Sequence, residues 1–297
     1  MADTVKVFAH RGDSALFAEN TRAAFAHALA IGAHGIETDI QLSADGHPVC
    51  WHDTTVDRTS NGRGPVRDHS LDELRELDVC SWKYPASTLP SQYGTSSNQL
   101  MTLDELTKML FEADRPVELA LEMKISDGNE HQIAECIVDW LQRWGWDPDS
   151  GTLGGATSQV SLSVMSFSLK ALAVVETAVP AARLCPLFST KNREALQIGK
   201  PSWHGPDQLL GPSVGWVSRY ESVVKSWLAA GRTLRIWTVE TEQQLRRIQR
   251  LGIQQVTVND PAWALQYLKE QTPNLHYIHR VYRRIRSMIP SLGRRNP

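Results

Sequence analysis

Acids and bases gather in three short segments of this chain. Residues 9–12 read Ala-His-Arg-Gly, so His10 and Arg11 sit together. Residues 35–53 carry Glu37 and Asp39, then His52 and Asp53, and residues 117–125 carry Glu122 and Lys124. Side chains two apart on a strand share a face, so each of these spaced pairs projects to one side. Leu119, Leu121 and Met123 then turn the other way. Three carboxylates brought together repel one another and hold their protons more tightly unless a cation neutralises them. An oxygen-only set of Glu37, Asp39 and Glu122 suits Mg²⁺ or Ca²⁺ rather than zinc. The same spacing also allows each acid its own salt bridge, Glu122 with Lys124 for instance. His10 and His52 flank the acids in sequence, and two imidazoles beside a metal make an acid/base pair. One takes a proton from a nucleophile and the other protonates a leaving oxygen, each role being worth about 10²–10⁴-fold. Arg11 and Lys124 offer fixed positive charge to a phosphate oxygen, or simply balance the acids. The chain has 10 histidines, and a lone one at a strand end is commonly structural, so the clustering carries the argument.

Such a cluster needs elements that bring distant segments to one place. Strand-like runs at 5–9, 35–41, 117–125, 160–167, 183–188, 233–240 and 256–258 alternate with amphipathic helical stretches. A weaker strand falls near 209–216, and residues 48–51 read as an extension of the second run. Alternation of this kind argues for a parallel sheet. About eight units over ~270 residues fit a (β/α)8 TIM barrel better than a doubly wound sheet. In such a barrel the C-terminal ends of the strands line the active face, and His10, Glu37, Asp39 and Glu122 fall near those ends. We expect a catalytic domain over 1–271, with an excursion at about 59–100 that is rich in Ser, Gly, Asn and Pro.

Composition narrows the function classes. Hydrophobic residues make up 41 % of 297, and the formal charge is −2, which fits a globule and carries no global nucleic-acid signature. No P-loop or GxGxxG fingerprint occurs. Four cysteines lie far apart, and no apolar run reaches the ~18 residues of a membrane span. The opening MADTVKVFAHRG shows no signal-peptide pattern, so cytoplasm is the expected compartment. The segment 272–297 holds six Arg and no acid, with Leu275, Ile278, Tyr282, Ile285 and Ile289 at helical spacing. It reads either as a helix docked on the barrel or as a basic amphipathic helix making weak contact with an anionic membrane surface. Nothing in the sequence indicates an oligomeric state.

The motifs together resemble the glycerophosphodiester phosphodiesterase family. AHRGDSALFAENT is similar to that family's HRG followed by PENT, with Ala18 in place of Pro. GIETDIQLSADGHPVCWHD resembles its second motif, VDRTSNGRGPV its continuation, and LEMK its E-x-K. MTLDEL, SFS, WTVE and LGIQQVTVNDP look like the later motifs, in the family's order across about 5–265. Glu240 stands where Asn is frequent, and Val258-Asn259 replaces a Thr-Asp. The resemblance implies a TIM barrel that hydrolyses glycerophosphodiesters to sn-glycerol 3-phosphate and an alcohol. It implies His10 and His52 as acid and base, and Glu37, Asp39 and Glu122 as ligands of one divalent cation. Arg11 and Lys124 would meet phosphate, and Trp237 would line the substrate pocket. Two rival readings remain: a lysophospholipase D or sphingomyelinase D-like activity on lipid phosphodiesters, and a barrel that binds phosphorylated ligands without turnover.

Overall fold

The computed structural model describes residues 5–84, 89–126, 128–191 and 208–271. Eight parallel strands form the barrel: β1 (Lys6–His10), β2 (Gly35–Leu42), β4 (Val117–Met123), β5 (Val160–Ser166), β6 (Leu184–Phe188), β7 (Gly211–Pro212), β8 (Arg235–Ile236) and β9 (Gln255–Val258). They pair in the order β7-β6-β5-β4-β2-β1-β9-β8. Two parallel bridges, Leu210 with Leu234 and Ser213 with Trp237, join β7 to β8 and complete the ring. The fold is the expected (β/α)8 barrel.

Two strand expectations are corrected. Residues 48–51 do not prolong β2; β3 (Pro48–Cys50) folds back and pairs antiparallel with its end, Ile40 opposite Cys50. The Ser43–Gly46 turn reverses the chain, with the Gly46 amide donating to the Ser43 carbonyl, and Gly46 takes φ 82°, open to glycine at no steric cost. The run 233–240 supplies only Arg235–Ile236 as continuous strand, with Leu234 and Trp237 joined to the neighbouring segment by isolated bridges.

Alternation along each strand divides two cores. Val7 and Ala9, Ile36 and Ile40, and Leu119, Leu121 and Met123 face the helices, as the spacing on β4 predicts. Phe8, Ala120, Met165, Cys185, Leu187 and Leu209 fill the barrel interior, with Trp237 packed against them. Gly35 has to be glycine, since a Cβ there would lie 2.3 Å from the Phe8 ring. Below the mouth, Arg235 spans the interior. It donates to Ser163 and Gln255 at 2.8 Å each, pairs with Glu118 at 2.5 Å, and lies 3.8 Å over the Phe8 ring.

Most of the outer helices start on side-chain caps that the sequence carries; those at Glu130–Arg143 and Glu221–Ala229 do not. Thr21 accepts from the Ala24 amide at the start of α1 (Arg22–Ala30). Capping boxes open α2 (Leu71–Arg75) and α3 (Leu103–Phe111) through Ser70/Glu73 and Thr102/Glu105. Next come α4 (Glu130–Arg143), α5 (Leu169–Val175), α6 (Val214–Arg219) and α7 (Glu221–Ala229). Thr241/Gln244 caps α8 (Glu242–Leu251), and α9 (Pro261–Gln271) follows Asp260, whose carboxylate accepts from the Trp263 amide. Beyond β3, Val56, Val66, Leu74, Val79 and Leu100 pack with Ala18, Val49 and Trp51, so the excursion is anchored beside the mouth. The basic segment 272–297 lies outside the described residues.

Candidate active site

Register decides which side chains meet. His10 is paired with Glu37, Glu37 with Ala120, and Asp39 with Glu122 across β1, β2 and β4. All three acids therefore point inward at neighbouring heights, near the C-terminal ends of their strands. Oxygens of Glu37, Asp39 and Glu122 lie within 4.8 Å of one another, and all three residues are buried. Asp39 Oδ1 is buried without a hydrogen bond, although Lys124 Nζ stands at ion-pair distance, 3.1 Å.

Charge in this cluster is incompletely balanced. Burial pushes the Glu37 carboxyl well above its ordinary value, and the neighbouring Asp39 and Glu122 push it further. Glu122 is raised by burial too, against the pull of Lys124. Burial also opposes charge on Asp39, but Lys124 and Arg11 outweigh it and hold that carboxyl below the usual range. Three buried acids facing two fixed cations, with one acceptor left over, are what an oxygen-coordinated divalent ion would satisfy. The described residues thus fit the ion. The alternative salt bridge also exists: Lys124 Nζ sits 2.7 Å from Glu122 Oε1. One ammonium between two carboxylates does not exclude the metal reading, because Glu37 has no share in it.

Both histidines open onto the same cavity, which encloses about 600 Å³ and is bounded by Lys124, Met165, Phe167, Leu187 and Trp237. His10 Nδ1 is 2.6 Å from Asn259 Oδ1, and Nε2 is 3.9 Å from Glu37. Ser14 also donates to that amide oxygen, at 3.3 Å, so His10 donates through Nδ1 and keeps a lone pair on Nε2. Burial lowers the His10 imidazole to about 4, with Arg11 adding to the effect. His52 Nδ1 lies 2.6 Å from Asp53. Its imidazole is lowered as well, by burial first and then by Lys124 and Arg11.

Arg11 holds the two halves together. Its backbone amide donates to Glu37 Oε2 at 3.0 Å, its Nε stands 3.1 Å from Asp39, and its Nη1 donates to Glu19 at 2.8 Å. Arg11 takes a positive φ, 57°, uncommon for a residue other than glycine. Glu19 accepts two bonds from Arg58, at 2.7 and 2.9 Å, and Arg58 in turn holds Asp53. A continuous network therefore links the residues around His10 to the partner of His52. Trp237 donates Nε1 to the Gly211 carbonyl at 2.7 Å and meets Phe167 edge-on, at 84° and 5.4 Å.

Of the eight residues singled out in the sequence, seven line this cavity, and Asp39 is buried beside Glu37 and Glu122 without reaching it. Sequence reasoning gave no role to Asn259, Glu19, Asn20, Asp53 or Arg58. Asn20 donates to Asp39 Oδ2 at 3.0 Å and accepts from Thr38. Their signal was adjacency: each falls inside a quoted motif (the Glu-Asn-Thr run, His-Asp, Asp-Arg-Thr), yet nothing local says which neighbour it holds.

Comparison with known proteins agrees with this arrangement. The model of the glycerophosphoryl diester phosphodiesterase family matches residues 10–263. A Mycobacterium tuberculosis protein named "Probable glycerophosphodiester phosphodiesterase 1" is 30 % identical over 273 residues, covering 90 % of this chain and 94 % of its own. A glycerophosphodiester phosphodiesterase of Caldanaerobacter subterraneus is 28 % identical over 262 residues, 86 % of this chain and 94 % of its own. Among solved structures, an Oleispira antarctica phosphodiesterase in complex with sn-glycerol-3-phosphate superposes with TM-score 0.69 at 24 % identity, over 90 % of this chain and 97 % of that one.

Proposed function

The chain belongs to the glycerophosphoryl diester phosphodiesterase family, and from that premise we propose that it hydrolyses glycerophosphodiesters to sn-glycerol 3-phosphate and an alcohol, with one divalent cation and a pair of histidines. The observation that carries this reading is the buried Glu37, Asp39 and Glu122 cluster, opening on one cavity with His10 and His52. Glu37, Asp39 and Glu122 would hold the ion, Mg²⁺ or Ca²⁺. Bound there, it supplies positive charge to the phosphate oxygens as negative charge builds on them.

The chain's own residues do the rest. Lys124 and Arg11 give fixed charge beside the phosphate and lower the cost of its negative charge in a partly buried site. The two imidazoles differ in their Nδ1 partners. His10 faces a neutral amide, which fixes its tautomer and leaves Nε2 able to accept a proton from the nucleophile. His52 faces a carboxylate, which partly offsets the lowering by burial and steadies the ring once it carries a proton, so we assign to His52 delivery of a proton to the leaving oxygen. The nucleophile is water or the glycerol C2 hydroxyl, the latter giving a cyclic phosphate that is then opened. Trp237 and Phe167 form the apolar wall against the substrate's carbon atoms.

The test is release of glycerol 3-phosphate from glycerophosphocholine, with and without chelator, followed by addition of Mg²⁺ or Ca²⁺. Turnover that stops with chelator and returns with one ion is expected. Turnover that persists in chelator would sink the metal assignment. Folded protein inactive with either ion, but active on lysophosphatidylcholine, would move the activity to lipid substrates.

A further inference from the structure

The cavity over the carboxylate cluster does not end at Phe167. It continues past Glu122, Lys124 and Phe167 into a groove between the segment after β4 and the start of α5, with about 820 Å³ of open space. A phosphodiester held at Lys124 has two arms to place, and the site offers two directions. The inner one closes on Met165, Leu187 and Trp237, above an Arg235 held by Gln255, Ser163 and Glu118. The outer one is the groove.

Two groups in the groove are chemically conspicuous. Phe167 is 37 % exposed, a large apolar ring kept at the surface where its edge-on contact with Trp237 fixes its orientation. Glu130 is half-buried and has neither ion pair nor hydrogen bond among the described residues. An aromatic ring and an unpaired carboxylate along one groove favour a positively charged amine, through the ring's negative face and direct Coulomb attraction. Resting on the proposed reaction, we propose that this groove is the subsite of the leaving alcohol, and that Phe167 and Glu130 select an alcohol bearing an ammonium group.

Glu130 also has a structural role open to it, as the first residue of α4, where the helix dipole favours an acid. That role would affect melting temperature and leave substrate preference alone. Of the two lysines along the groove, Lys124 is already held between Asp39 and Glu122, and Lys170 lies at the exposed outer edge where solvent screens it, so neither gives the groove a strong preference for an anionic alcohol.

The experiment compares kcat/KM for glycerophosphocholine, glycerophosphoethanolamine and glycerophosphoglycerol in the full chain, in Glu130→Gln and in Phe167→Ala, with Phe167→Tyr as the conservative control. The wild-type chain is expected to favour the two amine substrates. The amine-to-glycerol ratio should fall about three- to tenfold in Glu130→Gln and in Phe167→Ala, the range of one exposed charge or cation–π contact, and recover in Phe167→Tyr. A ratio that stays at the wild-type value in both variants overturns the assignment, as does wild-type preference for the glycerol substrate. A wild-type chain that cleaves none of the three with Mg²⁺ or Ca²⁺ overturns the proposed reaction and this subsite with it.

Discussion

At the scale of single residues, the site works through differences between like groups. Glu37 and Asp39 are two apart on one strand, yet burial raises the first while Lys124 and Arg11 depress the second. His10 and His52 are both lowered by burial but differ in the partner of Nδ1, the Asn259 amide for one and the Asp53 carboxylate for the other. His10→Ala should lower kcat by about 10²–10⁴-fold with little change in melting temperature, because the side chain touches the cavity rather than the core. Steady-state kinetics with a thermal melt checks both parts. The cysteines allow a cleaner residue-scale test. Burial pushes Cys50 and Cys185 up to about 12, so almost no thiolate exists near pH 8. Both should resist iodoacetamide in the native protein and react after denaturation, which peptide mass mapping would show.

At the scale of elements, the mouth depends on pairs buried lower in the barrel. Glu118 of β4 and Arg235 of β8 lie on opposite parts of the sheet order and meet inside it. Removing one partner strands the other charge in the interior, which costs about 3–5 kcal/mol. Glu118→Ala should therefore melt far lower than wild type, whereas the double change Glu118→Leu/Arg235→Met should recover much of the loss; equal melting of single and double variants would refute the coupling. Helix starts matter less. Thr241→Ala removes one half of a capping box and should cost about 1 kcal/mol, measured as a small shift in the denaturation midpoint.

At the scale of the whole molecule, the proposed metal binding would be linked to folding, since the cluster exists only when β2 and β4 are side by side. Added Mg²⁺ or Ca²⁺ should raise the melting temperature, by the equivalent of about 2.7 kcal/mol at a hundred times Kd. Linkage also sets the sign with pH. The folded-state values of Glu37 and Glu122 are raised, so without metal their contribution to stability is full below the ordinary glutamate value. It is lost as pH rises through the raised values. The metal-free chain should therefore lose more stability over that interval than Glu37→Gln, and excess divalent ion should abolish the difference. Melts over a pH series, with and without chelator, decide it.

The sequence by itself determined the fold class and singled out the acids, histidines and cations that the barrel brings together. Strand periods are local properties, so Glu37 and Asp39 share one face of β2, and Glu122 lies on the inward face of β4 while Leu121 and Met123 turn to the helices. Motif resemblance then tied those residues to a family. Tertiary structure decided what periodicity cannot encode. Whether 48–51 prolongs β2 or folds back depends on a turn and on pairing with Ile40. That His10 leans on Asn259, 249 positions away, depends on the barrel bringing β1 beside β9. The Glu19–Arg58–Asp53 network likewise depends on the segments after β1 and β3 lying side by side, because ion pairs are chosen by distance in space.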